Sequence, residues 1–176
     1  MQKRLLLDSL QIEITIRRLC YQLIENHDDF SNSAIIGLQP RGIFVARRIK
    51  KYLLEILKVP LLREGTLDVT FYRDDYRRRE IIAPSETKID FIVENLNVIL
   101  IDDVFYTGRT IRASMDALLD FGRPSKVELL TLVDRRYSRH LPIAPDYIGL
   151  QVDTITSEKV KVQWKETDGE DAVWLT

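Results

Sequence analysis

The sequence predicts an α/β fold, a central parallel sheet flanked by helices with a small cap of short strands, and three observations carry that expectation. Strand-like apolar runs alternate with helical periodicity through the first three quarters of the chain. The run Val98 to Ile101 has no polar alternation, as befits a strand covered on both faces. The late apolar runs are short and separated by polar turns, which reads as an appended antiparallel flap and not as a second domain.

Each element follows in order. Ile12, Ile16, Leu19, Cys20, Leu23 and Ile24 share one helical face, so residues 8–26 form the first helix. Residues 33–39 are a short strand ending at Pro40, Arg41 and Gly42. Ala46, Ile49, Leu53, Ile56 and Leu57 then restore helical spacing until Pro60 stops it. Residues 67–72 alternate apolar and polar side chains and read as a strand. Residues 73–90 are polar, charged and carry Pro84, and a loop this long in a compact domain suggests a cover for a site. A strand at 98–101 precedes a loop at 102–110 and a helix marked by Ile111, Met115, Leu118 and Leu119, which Gly122 and Pro124 end. Residues 126–134 are another strand, and 147–150, 160–164 and 172–175 are shorter ones. Trp164 and Trp174 fall in these late runs and are expected in the core.

Composition narrows the function. The chain has 176 residues, 45% apolar and 30% charged, which suits one ordinary globular domain. A net charge of −1 argues against a generic polyanion binder, although basic pairs such as Arg17-Arg18 and Arg135-Arg136 leave room for a local basic face. Cys20 is the single cysteine and lies on an apolar helix face, where an inert thiol is expected. His27 and His140 are far apart, so any metal is expected to be hard and oxygen-bound. No signal peptide and no membrane-length apolar stretch is visible, and a cytoplasmic location is the expectation.

The chemistry concentrates in residues 102–110. Asp102 and Asp103 are adjacent carboxylates at a strand end, and Thr107, Gly108, Arg109 and Thr110 open the next helix. Gly108 lets the backbone fold tightly against an anion, while the threonine hydroxyls and the free amides of the helix start donate to a phosphate. Arg109 either adds charge or covers the loop. Carboxylates facing a phosphate would repel it, so the pair addresses the hydroxyls of an attached sugar, directly or through magnesium. The implied ligand is a sugar phosphate, and the bland alternative is a helix-capping loop beside a surface acidic pair. No Walker lysine motif is present, which counts against a nucleotide triphosphatase.

Residues 98–110, VILIDDVFYTGRT, resemble the 5-phosphoribosyl 1-pyrophosphate (PRPP) signature of type I phosphoribosyltransferases. Residues 37–49, 67–75, 116–124, 132–136, 141–150 and 157–163 extend the resemblance to the PyrR family of pyrimidine operon regulators, so that it covers nearly the whole chain. It implies a type I phosphoribosyltransferase fold over residues 1–176, with a core at about 8–134, a hood at about 135–176 with the N-terminus, and a flexible lid at about 73–90. The implied reaction joins uracil to PRPP to give UMP and pyrophosphate.

By that resemblance Asp102 and Asp103 hold the ribose hydroxyls, and Phe105, Tyr106, Thr107, Gly108, Arg109 and Thr110 cradle the 5-phosphate. Pro40, Arg41 and Gly42 fall at the pyrophosphate loop, Arg73 and Asp74 begin the lid, and Arg135 and Val160 border the base. Magnesium is the implied cofactor, reaching the site through PRPP and touching Asp102 or Asp103. Asp102, Asp103 and Arg41 are the expected catalytic residues. Tyr106 stands where purine-salvage relatives carry an acidic residue, which favours a pyrimidine base, although the ring could equally pack on the sugar.

The sequence also departs from the resemblance. Pro40 replaces a usual Thr, next to a peptide that relatives often hold as a non-proline cis bond, and Pro40 removes a backbone donor. The resemblance implies a dimer or larger assembly whose basic face, including the first helix, binds a specific mRNA hairpin under UMP control. Arg17, Arg18 and Tyr21 are the candidate RNA-binding residues, but Arg17 and Tyr21 replace a Thr and a His, Leu150 replaces a Lys, and the segment 132–142 is one residue longer than the usual hood loop. Three readings stay open: a uracil transferase that also regulates, an RNA-binding regulator with little catalysis, and a purine-base transferase.

Overall fold

The computed structural model describes residues 3–72, 85–155 and 157–176. The expected lid residues Arg73 and Asp74 lie outside the described residues. Five parallel strands, β2 (Ser33–Leu38), β3 (Arg63–Leu67), β4 (Asn97–Phe105), β5 (Lys126–Arg136) and β6 (Tyr147–Asp153), form a sheet in the order β3-β2-β4-β5-β6. Strand β1 (Arg4–Leu7), β7 (Val160–Gln163) and β8 (Ala172–Leu175) form a separate antiparallel hood in the order β1-β8-β7.

Helix α1 (Ser9–His27) starts where Asp8 and Gln11 cap each other: the Gln11 amide donates to the Asp8 carboxylate at 2.8 Å, and the Asp8 amide donates to the Gln11 side chain at 2.9 Å. It buries Ile12, Ile16, Leu19, Cys20 and Leu23, and burial pushes the Cys20 thiol up to about 12, as suits an inert core group. Each large side chain buried this completely contributes on the order of 1.5–3 kcal/mol. Helix α2 (Gly42–Leu57) packs on the same sheet face, and the alternate strand residues Ile35, Ile99, Ile101, Leu130 and Leu132 meet both helices there. Ala34, Ile36, Leu38, Val98 and Leu100 point the other way, toward α3 (Arg109–Leu118). Every residue of β2 is buried, the consequence of a central strand covered on both faces.

Four sequence expectations need correction. The strand near residue 67 runs Arg63–Leu67 and stops there, because the Asp68 carboxylate accepts from the Thr70 amide at 2.8 Å and the Thr70 hydroxyl at 2.6 Å. That local turn overrides the alternation of residues 67–72, and Thr70–Tyr72 is a 3-10 turn. Strand β4 runs through the acidic pair to Phe105, so Asp102 and Asp103 are strand residues and not loop residues. Helix α3 buries Ile111, Ser114 and Leu118 with two alanines, leaving Met115 and Leu119 at the surface. The segment at 147–150 belongs to no antiparallel flap: β6 pairs parallel with β5 at the sheet edge, Leu130 opposite Tyr147 and Arg136 opposite Asp153.

The hood sits over the carboxyl ends of the strands. Trp164 is fully buried, its ring 6.0 Å from that of Phe44 and 4.5 Å from the Arg48 guanidinium carbon. Arg48 also pairs with Glu166 at 3.0 Å and Asp171 at 2.8 Å, tying α2 to the hood. No described helix is long and apolar enough to cross a membrane.

Candidate active site

The loops after β2, β4 and β5 converge at the carboxyl ends of the parallel strands, as open α/β sheets require. Small residues let them approach. A Cβ on Gly42 would lie 2.4 Å from the Ile101 carbonyl oxygen, so only glycine admits the start of α2 beside β4. Arg41 immediately precedes that glycine, and its Nε lies 3.9 Å from Asp103 Oδ2. The Gln39–Pro40 peptide in this loop is cis.

Asp102 and Asp103 follow the buried run of β4 from Val98 to Ile101 and are themselves half-buried. The Asp103 amide donates to Asp102 Oδ1 at 2.9 Å, which fixes the first carboxylate across its neighbour. Asp103 is 14% exposed, and burial pushes its carboxyl above the ordinary range while Arg41 pulls it back. Beyond them the Thr131 hydroxyl accepts from the Phe105 amide at 3.2 Å and donates to the Val133 carbonyl at 3.0 Å, stapling the strand ends together.

Phe105 is buried, Tyr106 is 37% exposed, and Thr107 and Gly108 then turn the chain into α3. Gly108 has φ +91°, the left-handed conformation that glycine takes without a Cβ penalty. Helix α3 has no side-chain cap, and Arg109 and Thr110 form its first turn. The Arg109 amide reaches Thr107 Oγ1 only at 3.5 Å, so the loop's threonine and amides border an N-terminus suited to an anion.

Arg135 lies over Tyr106, its guanidinium carbon 4.0 Å from the ring centroid. It also donates to Thr154 Oγ1 at 3.2 Å and to the Glu158 carbonyl at 2.7 Å, just before β7. Val160 opens β7, half-buried against the hydrophobic core. Arg17 and Tyr21 are exposed on α1, with Arg17 at 3.1 Å from Glu13 and stacked on Tyr52 at 4.2 Å. Arg18 is engaged differently: it donates to the Ile148 and Gly149 carbonyls at 3.1 and 2.7 Å, closing the edge of β6. These three residues stand apart from the strand-end site.

Sequence reasoning missed three residues here. Asp168, in the short helix α4 (Lys165–Asp168), accepts from Arg41 Nη2 at 2.7 Å. Asp134, buried at the end of β5, pairs with Arg139, whose guanidinium also donates to the Tyr106 carbonyl. Asp134 falls within the resembling segment 132–136 and was open to notice, but no local pattern singles out Arg139 or Asp168.

Among the described residues no group of three or more His, Cys, Asp or Glu side chains converges as a metal site. The carboxylates of Asp102 and Asp103 are hard oxygen donors of the kind magnesium accepts alongside phosphate oxygens, so the residues present fit an ion that arrives with its ligand.

The phosphoribosyl transferase domain family matches residues 4–167. Proteins called bifunctional protein PyrR are similar over nearly the full length. One from Picosynechococcus is 44% identical over 97% of this chain and 95% of its own, and one from Deinococcus radiodurans is 45% identical over 98% and 94%. The Trypanosoma cruzi hypoxanthine phosphoribosyltransferase structure covers 98% of this chain and 95% of its own at TM-score 0.72 and 15% identity. The Leishmania tarentolae HGPRT structure with GMP covers 97% and 94% at TM-score 0.72 and 14% identity, and both likenesses concern the fold. A five-stranded parallel sheet, an acidic pair running into a glycine-opened helix and this full-length likeness agree: the chain belongs to the phosphoribosyltransferase family and, within it, to the PyrR group.

Proposed function

We propose that the chain transfers the phosphoribosyl group of PRPP to uracil, giving UMP and pyrophosphate, in the cytoplasm. The observation that carries the reading is the continuity of β4 into α3: Asp102 and Asp103 at the strand end, then a glycine-opened helix start without a side-chain cap. A ribose 5-phosphate laid along this path meets carboxylates at its hydroxyls and amides at its phosphate, while Arg41 flanks the far side.

In the reaction the ribose C1–oxygen bond breaks and pyrophosphate leaves with the electron pair. Uracil N1 bonds to C1, and its proton passes to the departing pyrophosphate. Positive charge grows on the sugar, where the Asp102 and Asp103 carboxylates favour it. Arg41, Gly42 and the backbone beside Pro40 meet the leaving pyrophosphate, and Thr107 to Thr110 hold the phosphate still. Magnesium, held by Asp102 and Asp103 together with PRPP, supplies neutralising charge when bound. Arg135 and Tyr106 form one wall for the base, with Val160 behind.

The test is UMP formation from labelled uracil and PRPP with magnesium, run beside hypoxanthine, guanine and orotate. Selective UMP production supports the reading, and Asp103→Asn should lower turnover at least tenfold. Preference for a purine would replace uracil by that base, and unchanged turnover in Asp103→Asn would remove the acidic pair from the mechanism.

A second activity is favoured by the exposed Arg17 and Tyr21 on α1 and by the relatives' shared name of bifunctional protein. In this reading a homo-oligomer binds a specific mRNA hairpin, Arg17 through phosphate and Tyr21 by stacking, under UMP control. Arg18, already spent on β6, contributes by holding α1 in place. UMP-dependent retention of a pyrimidine-gene leader RNA, lost in Arg17→Ala with Tyr21→Ala, tests it.

A further inference from the structure

One oxygen of Asp168 collects three donors. Oδ2 accepts from the Trp164 amide at 3.0 Å, the Thr167 hydroxyl at 2.8 Å and Arg41 Nη2 at 2.7 Å. The first two donors belong to the hood and aim the carboxylate; the third comes from the loop after β2. The same Arg41 nitrogen donates to the Val162 carbonyl at 2.9 Å, so two hood acceptors hold one corner of the guanidinium. Held there, Arg41 stays 32% exposed and keeps Nε 3.9 Å from Asp103.

An arginine side chain is rich in rotamers, and an anion that must order it loses affinity on binding. Fixing the guanidinium beforehand removes the cost. The Trp164 amide first, and the Thr167 hydroxyl second, hold the Asp168 carboxyl below the ordinary range, so the anchor is charged whenever the site is used. Docking of the hood does not depend on this bond. Arg48 already joins Glu166 and Asp171 across the same boundary, and Trp164 is fully buried.

We infer that Asp168 is a positioning residue of the PRPP site, aiming Arg41 at the pyrophosphate and passing the placement of the hood to the loop after β2. The inference rests on the reading above that Arg41 meets the pyrophosphate. It separates PRPP from UMP, since UMP lacks the group that Arg41 would hold.

The experiment measures PRPP and UMP affinities by calorimetry with magnesium for the wild type, Asp168→Asn, Asp168→Glu, Arg41→Gln and the double variant Asp168→Asn with Arg41→Gln. Asp168→Asn keeps one acceptor oxygen for the hood donors and removes the charge, and it should weaken PRPP about tenfold while leaving UMP within about twofold. Asp168→Glu should recover part of the loss, and the double variant should bind PRPP no worse than Arg41→Gln alone. Equal weakening of PRPP and UMP, or full additivity in the double variant, overturns the inference. So does normal PRPP binding by Asp168→Asn when Arg41→Gln binds weakly. If Arg41→Gln itself binds PRPP normally, the pyrophosphate reading of Arg41 fails first, and the role of Asp168 fails with it.

Discussion

The Arg139 guanidinium lies over the Phe105 ring, its central carbon 3.8 Å from the ring centroid. The same group donates to the Tyr106 carbonyl and to the Arg135 carbonyl, the latter at 2.9 Å, and pairs with Asp134. One side chain therefore binds the end of β4 to the end of β5, and burial lowers its pKa below the usual guanidinium value. Arg139→Ala would leave the Asp134 carboxylate, 5% exposed, with Gln151 at 3.4 Å. Stranding a buried charge costs on the order of 3–5 kcal/mol. We expect Arg139→Ala to lose a comparable amount in urea unfolding and to weaken PRPP at least tenfold, with little recovery in Arg139→Lys, whose single ammonium cannot span these partners. Wild-type behaviour of the lysine variant would show that charge alone suffices.

Gly42→Ala tests the approach of α2 to β4. The new Cβ would meet the Ile101 carbonyl oxygen at 2.4 Å and the Asp102 Cα at 3.0 Å, both backbone atoms that cannot rotate away. The helix start must retreat, taking Arg41 with it. Overpacking of this kind costs about 1–3 kcal/mol. The expected outcome is that loss in urea unfolding together with PRPP binding weakened more than UMP binding, because Arg41 shifts while the loop after β4 stays. An unchanged ratio of the two affinities would show that Arg41 does not follow the helix.

The legible parts of the fold were those written in local pattern. The α1 face from Ile12 to Leu23 and the buried run of β4 carry unambiguous periods, and both elements form there. The joining of strand ends was legible too, because parallel strands separated by helices leave their carboxyl loops at one edge. What escaped was decided across distance. Residues 67–72 alternate like a strand, yet one Asp68 carboxylate accepting from Thr70 ends β3 at Leu67. Tyr147 to Leu150 looks the same on a flap or in the main sheet, and only pairing with Leu130 to Val133 assigns it. The bond between Arg41 and Asp168 was invisible because the two lie 127 positions apart.

Tyr106 carries a prediction about the base. Its ring is the platform for Arg135 at 4.0 Å, and such a contact requires the aromatic face, not the hydroxyl. Tyr106→Phe should therefore keep the uracil KM within about twofold, whereas Tyr106→Ala should raise it about fivefold to tenfold and leave the PRPP KM nearly unchanged. Steady-state kinetics with each substrate varied separately decides the matter. A comparable loss in both variants would transfer the role to the phenol oxygen.

Tyr147 predicts an alkaline limit to stability at the opposite end of the sheet. It is 4% exposed, and its hydroxyl accepts from Asn26 Nδ2 at 3.1 Å and lies 3.2 Å from His27 Nε2. Burial first, and the nearby Glu128 carboxylate second, push the phenol up to about 12 from the ordinary 10.0. Below pH about 10 the phenol is protonated in the folded and unfolded chains alike, and its contribution to stability is complete. As pH rises toward 12 the unfolded chain ionises first, so that contribution is lost, by up to about 2–3 kcal/mol across the window. Tyr147→Phe should cost about 1 kcal/mol near neutrality through the lost hydrogen bond. Its deficit should then shrink and reverse between about pH 10 and 12, because phenylalanine has no proton to lose. Cys20, also pushed up to about 12 but from 9.0, adds a slope that begins lower and is common to both proteins. Urea unfolding at about pH 8, 10 and 11 compares the two directly, and a constant separation up to pH 11 would mean that the phenol is not held neutral by burial.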